Sequence, residues 1–143
     1  QKMEEFYDKK EVGALGISNC YDLDVLKYLY NNAKIKPSIV QNRFYAQSGY
    51  DKEIRAFCKE NSITYESFWS LTANPNILSS EVLQNLAIKY QRGVAEIFYR
   101  FLNHMDIVPL NGTTSLKHMI EDLKIREFEL TNDEIEEISK FIK

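Results

Sequence analysis

Ser18-Asn19, Gln41-Asn42, Trp69-Ser70 and Asn111-Gly112-Thr113-Thr114 each stand where a short apolar run stops and a helical pattern begins. Ser, Asn and Gln both donate and accept hydrogen bonds, so such clusters suit a ligand that does the same. The stretch Asn111-Gly112-Thr113-Thr114-Ser115 has further means. Glycine allows a tight backbone path, hydroxyls bond phosphate oxygens, and a helix start offers free N–H groups. A plain loop with a helix cap has the same composition, and these residues alone leave both readings open. In parallel α/β barrels the working groups gather at the C-terminal strand ends. Four such ends are half of the eight a closed barrel needs.

Other chemistry is missing. No HExxH, GxSxG, Walker-type or CxxC pattern occurs, and none of the nine tyrosines is placed beside a lysine by a motif. His104 falls at a helix end, where an imidazole serves as a surface group or a dipole partner. Cys20 and Cys58 are lone thiols in apolar or helical contexts, which reads as small buried hydrophobes in a reducing compartment. Eighteen basic and 21 acidic residues give a net charge of −3, with an acidic stretch at Asp133, Glu134, Glu136 and Glu137. Without a basic stripe, nucleic acid is excluded as a partner. No apolar run reaches membrane-span length and no secretory pattern opens the chain, so the expectation is cytoplasmic with no membrane partner. At 143 residues and 44% apolar content there is enough for one core. The first residue is Gln1 rather than Met. With half a complement of strands, that reads as a fragment or processed product, a single partial domain over 1–143.

The elements that position these clusters alternate. Met3, Phe6 and Tyr7 predict a helix over 2–10, closed by Lys9-Lys10. Residues 12–18 form an apolar strand with small residues where a neighbour approaches. Asp22 caps a helix over 23–33, Pro37 breaks the chain, and Ile39-Val40-Gln41 is a short strand. Ser48 precedes a helix carrying Ile54, Phe57 and Cys58, and 63–69 is the third strand. Helices over about 79–90 and 93–103 follow, then the strand Ile107-Val108, cut short by Pro109. Ser115 opens a helix to about Ile125, and Thr131-Asn132-Asp133-Glu134 is a capping box for the last. Strand–helix alternation implies a parallel sheet, in either a barrel or a doubly wound arrangement.

Six segments, in order and correctly spaced, resemble the second half of the aldo-keto reductase family. Gly16-Ile17-Ser18-Asn19 is similar to its GVSN strand end, and Lys36-Pro37-Ser38-Ile39-Val40-Gln41-Asn42 to the strand ending in a nicotinamide-binding glutamine. Phe57-Cys58-Lys59-Glu60-Asn61-Ser62-Ile63 resembles FCKEHGI, and Phe68-Trp69-Ser70-Leu71-Thr72 sits where the family has a Tyr-Ser-x-Leu-Gly turn. Val94-Ala95-Glu96 with Arg100-Phe101 resembles the PAQ…LRW helix, and Phe128-Glu129-Leu130-Thr131 the closing FELT segment.

The resemblance implies strands five to eight of a parallel (β/α)8 TIM barrel, with an extra helix before the last barrel helices and a C-terminal helix. It implies a cofactor-binding half of a reductase that turns a small carbonyl substrate into an alcohol with NADP, NAD being possible. Ser18, Asn19 and Gln41 would face the nicotinamide carboxamide, and Phe68 would stack on its ring. Trp69 replaces a small Ser near the pyrophosphate path, beside Leu71. Gly112, Thr113 and Thr114 would meet phosphate. Gly112 and His118 stand near positions where NADP-selective members carry Lys and Arg, leaving Lys117 as the fixed cation, with Glu121 and Asp122 near the adenine. The family's Tyr, Lys, Asp and His tetrad belongs to the first half, so no catalytic residue carries over. The implied partner is the missing N-terminal half or a second copy, since an open half-barrel leaves two strand edges bare.

Overall fold

The computed structural model describes residues 2–142. Four parallel strands lie side by side in chain order: β1 (Gly16–Ser18), β2 (Ile39–Arg43), β3 (Thr64–Phe68) and β4 (Ile107–Pro109). Around them run α1 (Lys2–Asp8), α2 (Leu23–Asn32), α3 (Lys52–Glu60), α4 (Pro75–Leu78), α5 (Glu81–Tyr90), α6 (Val94–His104), α7 (Leu116–Leu123) and α8 (Asn132–Ser139). Three helices, α4 to α6, fill the single crossover from β3 to β4. α5 is the extra one, packed on α6 and α8.

The strand period separates two faces. Val40, Asn42, Tyr65, Ser67 and Ile107 are buried beneath the helices. Gln41, Arg43, Glu66 and Phe68 are only half-buried on the other face, and Val108 is exposed there. Cross-strand pairing sets Ser18 beside Gln41, Gln41 beside Glu66 and Glu66 beside Val108, which makes one transverse row. Arg43 and Phe68 form the next row toward the C-terminal end. The core lies on the helix side. α6 contributes Ile97, Phe98, Phe101 and Leu102, all fully buried, and each such side chain stabilises the fold by about 1.5–3 kcal/mol.

β1 is shorter than its apolar run because only Gly16–Ser18 finds a ladder partner. Gly16 suits the close approach there: a Cβ would sit 3.1 Å from both the Cβ and the carbonyl oxygen of Ile39. β2 continues two residues beyond Gln41, because Asn42 is satisfied inside the protein. Pro109 closes β4, and the chain leaves after Leu110 N–H donates to the Ser67 carbonyl at 2.7 Å.

The third helix does not start after Ser48. A 3₁₀ turn over Ala46–Asp51 passes through left-handed backbone at Gly49, Tyr50 and Asp51 (φ 58°, 52° and 52°) before α3 begins at Lys52. The turn directs Asp51 inward, where its Oδ2 accepts from Asn42 Nδ2 at 2.7 Å and from Tyr65 OH at 2.9 Å. A buried carboxylate with two donors outweighs an exposed helix cap. At the other end of the chain the Thr131–Glu134 capping box forms as expected.

Two flanks are bare. Leu116, Met119, Ile120 and Leu123 make an exposed apolar stripe along α7, and Val25 and Tyr28 are exposed on α2. Among the described residues no strand pairs with the outer side of β1 or β4.

Candidate functional site

The C-terminal strand ends carry a connected polar chain. Asn19, in left-handed backbone at φ 57°, donates from its N–H to the Gln41 carbonyl at 3.0 Å. Its Nδ2 donates to Ser18 Oγ at 3.0 Å, and its Oδ1 accepts from Tyr21 OH at 3.2 Å. Gln41 Nε2 donates to Glu66 Oε2 at 2.9 Å, and its Oε1 has no hydrogen-bond partner among the described residues. Beneath them Asn42 ties β1 to β2. Its Oδ1 accepts from Cys20 N–H at 2.9 Å, and its Nδ2 donates to the Cys20 carbonyl at 2.7 Å. So Ser18, Asn19 and Gln41 meet at one rim, held from below. Phe68 sits on the same face, one row beyond.

Trp69 turns out of β3 with φ 58° and is 55% exposed. Its ring lies 4.2 Å from the Arg43 guanidinium, which also approaches the Tyr45 ring at 5.4 Å. The turn is braced by Ser67 and Ser70 hydroxyls 2.8 Å apart and by Asn74 Nδ2, which donates to the Phe44 and Ser70 carbonyls at 2.8 Å each.

A second region lies between α6 and the loop that follows β4. Leu71, Gly112, Thr113, His118, Glu121 and Asp122 line one cleft of about 390 Å³ with Lys117, Glu96 and Tyr99. Thr113 Oγ1 accepts from Ser115 N–H at 3.1 Å, and Ser115 Oγ caps α7 by accepting from His118 N–H at 3.4 Å. Thr114 is exposed on the same loop but does not line the cleft. Lys117 reaches Glu121 at 3.6 Å. Burial raises the Asp122 carboxyl above its ordinary range; Glu121 and Glu96 add to this and His118 opposes it. Burial, with the nearby Asp122 charge, pushes the Tyr99 hydroxyl up to about 12. Two of the carboxylates here already face cations: Glu96 lies 3.3 Å from Arg92 Nη1 and Glu121 3.6 Å from Lys117 Nζ.

The sequence pattern passed over four of the rim residues: Tyr21, Arg43, Tyr45 and Glu66. The strand period held the signal, since Arg43 follows Gln41 by two and so shares its face. Ending β2 at Gln41 hid it. His104 is neither free nor at the rim; its Nε2 accepts from Leu130 N–H at 3.4 Å and lies 3.3 Å from Glu129 Oε2.

Residues 1–143 match the profile of the Aldo/keto reductase family from end to end. The chain belongs to that family. Glyoxal reductase of Bacillus subtilis is 29% identical over 141 residues, which cover 99% of this chain and 50% of that protein. An uncharacterized oxidoreductase of Schizosaccharomyces pombe is 30% identical over 97% of this chain and 48% of its own length. Among solved structures, an aldo-keto reductase from a deep-sea metagenome superposes with a TM-score of 0.86 at 24% identity, over 96% of this chain and 51% of that one. Another neighbour, 19% identical with a TM-score of 0.81, was solved with NADPH and is covered to 45%. The chain spans about half the length of the curated relatives it matches. The four strands and their helices are therefore half of a parallel α/β barrel, and the open sheet face is the side that turns to the barrel axis in this aldo/keto reductase fold.

Proposed function

We propose that this aldo/keto reductase chain is the nucleotide-gripping second half of an NAD(P)H-dependent carbonyl reductase. One observation carries the reading: Ser18, Asn19 and Gln41 share one rim, and Phe68 lies in the adjoining row of the same face. A carboxamide needs an acceptor for its NH₂ and donors for its oxygen. Gln41 Oε1 is the unengaged acceptor, and the exposed hydroxyl of Ser18 is a rotatable donor. Phe68 keeps the aromatic face that stacks on a nicotinamide while lacking a hydroxyl.

Leu71, Gly112, Thr113 and Thr114 then follow the pyrophosphate and adenosine, with Glu121 and Asp122 beside the adenine and ribose. NADP remains the assigned cofactor, its 2′-phosphate meeting Lys117 and His118. NAD is the alternative that the acidic wall favours. When bound, the reduced nicotinamide supplies a hydride to a carbonyl carbon. This chain's own residues bind and orient. The proton donor belongs to the complementary half of the barrel, which the bare flanks of α2 and α7 and both sheet edges would receive; the alternative partner is a second copy. Two free, buried thiols, Cys20 and Cys58, fit a reducing compartment such as the cytoplasm. Among the described residues no helix is long and apolar enough to cross a membrane.

Trp69 is the single tryptophan and stands at the rim, so its fluorescence reads cofactor binding directly. NADPH and NADH are expected to quench it saturably, and Gln41→Ala to weaken both. Quenching that is linear and indifferent to Gln41→Ala refutes the reading.

A further inference from the structure

The structure assigns Arg43 as a carboxylate-binding residue beside the carbonyl site, which makes the substrate class a carbonyl compound carrying a carboxylate, such as a 2-oxo acid. This rests on the cofactor reading above and adds a residue that the family resemblance left unassigned. Arg43 follows Gln41 on the same face of β2 and is paired in register with Phe68. A strand advances about 3.3 Å per residue, so Arg43 sits roughly 7 Å further toward the barrel mouth than Gln41. A nicotinamide over Phe68, held through its carboxamide at Gln41, has Arg43 at its border.

The guanidinium is held ready and unpaid by any protein anion. Trp69 stacks on it at 4.2 Å and Tyr45 flanks it at 5.4 Å, while Tyr21 packs edge-on against Tyr45 with ring centroids 6.0 Å apart. Arg43 N–H donates to Tyr21 OH at 3.1 Å, which fixes the residue at its root. Its Nε is buried with no hydrogen-bond partner, and among the described residues no carboxylate lies within 4.0 Å of the guanidinium. Glu66, the acid in the neighbouring row, instead accepts from Gln41. That Nε is sealed from solvent, so the two Nη groups, which among the described residues are neither buried nor engaged by a protein acceptor, are what offer a ligand carboxylate charge-assisted bonds. Stacking between aromatic rings sets the plane of the fork in advance, so little side-chain freedom is lost on binding. The cofactor's pyrophosphate is a poorer occupant. Trp69 borders the pyrophosphate path, but the path leads on to the cleft beyond β4, whereas Arg43 lies on β2, on the opposite side of β3.

The test titrates the 143-residue chain with pyruvate, with uncharged 2,3-butanedione of similar size, and with ADP-ribose, reading Trp69 fluorescence with and without NADP⁺. Wild type should bind pyruvate saturably and ignore butanedione. Arg43→Met should weaken pyruvate about tenfold or more, the usual scale for a lost charged hydrogen bond, and weaken NADPH by a much smaller factor. Arg43→Lys, which keeps the charge without the planar fork, should fall between, and thermal melts of both variants confirm that they fold. No pyruvate response in wild type, equal response to butanedione, or an unchanged Arg43→Met overturns the assignment. Arg43-dependent binding of ADP-ribose without pyruvate binding gives the residue to the pyrophosphate and also overturns it. If pyruvate binds as expected but NADPH does not, the cofactor reading fails while the anion seat stands.

Discussion

Removing the Asn42 amide should both destabilise the fold and loosen the rim. Asn42 is fully buried and makes three hydrogen bonds: from Cys20 N–H at 2.9 Å, to the Cys20 carbonyl at 2.7 Å and to Asp51 Oδ2 at 2.7 Å. Asn42→Ala leaves both Cys20 backbone groups buried and unpaired, while Asp51 keeps Tyr65 as a donor. Each of the two orphaned buried groups costs about 1–3 kcal/mol, so the total is about 2–6 kcal/mol. Asn42→Asp is the sharper variant. One oxygen can still accept from Cys20 N–H, but the other faces Asp51 Oδ2 where Nδ2 stood 2.7 Å away. Two carboxylates at that distance raise the pair's folded-state pKa, and the variant should regain stability as pH falls from 7 toward 4.5, where a shared proton can bridge them. Urea unfolding at both pH values measures this. Because Cys20 directly follows Ser18-Asn19, nicotinamide affinity should also drop in Asn42→Ala, read by Trp69 quenching. A loss below about 1 kcal/mol for Asn42→Ala, or an Asn42→Asp protein indifferent to pH, refutes the reasoning.

Burial works to raise the Glu134 pKa, but donors from Lys89, Thr131 N–H and Tyr90 overcome it and hold it at about 2 against an ordinary 4.5. A depressed folded pKa gives stability present above pH 4.5 and lost as pH falls toward 2. Discounting for the half-exposed Lys89, that is roughly 2 kcal/mol, and Glu134→Gln should flatten this part of an acid-unfolding curve; an unaltered curve contradicts it. Gly16→Ala sets a Cβ 3.1 Å from two Ile39 atoms and should cost about 1–3 kcal/mol in chemical denaturation; a neutral outcome means that β1 is not clamped to β2. Burial pushes the Cys58 thiol up to about 11. A disulfide reagent at pH 8 should therefore label it only as fast as the protein unfolds, and prompt labelling of the folded chain disproves its burial.

Elements with a single strong local signal were legible from the residue pattern. Asp22 caps α2 by accepting from Asp24 and Val25 N–H, and Thr131 with Glu134 closes the capping box on α8. The ends of β1 at Ser18 and of β3 at Phe68 also fell where hydroxyls interrupt apolar runs, because strands here are buried on one side only, whereas β2 ran on to Arg43 and β4 closed at Pro109. What escaped the pattern depends on contacts distant in sequence. Asn42 reads as a ligand-facing amide until its partners 22 and 9 residues away are placed. Asp51 falls inside the helix expected after Ser48, and only the left-handed turn turns it inward to Asn42. Arg43 was lost by the same route: a strand thought to end at an amide hides what comes two residues later. The cleft at Gly112 was visible in composition, but its acidic wall needed Glu96, from a helix earlier in the chain, to be brought beside Asp122.

The central claim is that the rim at Ser18, Asn19 and Gln41 and the cleft at Thr113 and His118 hold opposite ends of one nicotinamide dinucleotide. Side-chain and backbone amide NMR shifts on adding NADP⁺, then 2′,5′-ADP alone, test it most directly. The account predicts that NADP⁺ moves the Asn19 and Gln41 side-chain amides together with the Thr113 and His118 backbone signals, whereas 2′,5′-ADP moves only the second group. Shifts confined to the N-terminal strand ends, near Ser38 and Thr64, or no saturable shift at either group, would contradict it.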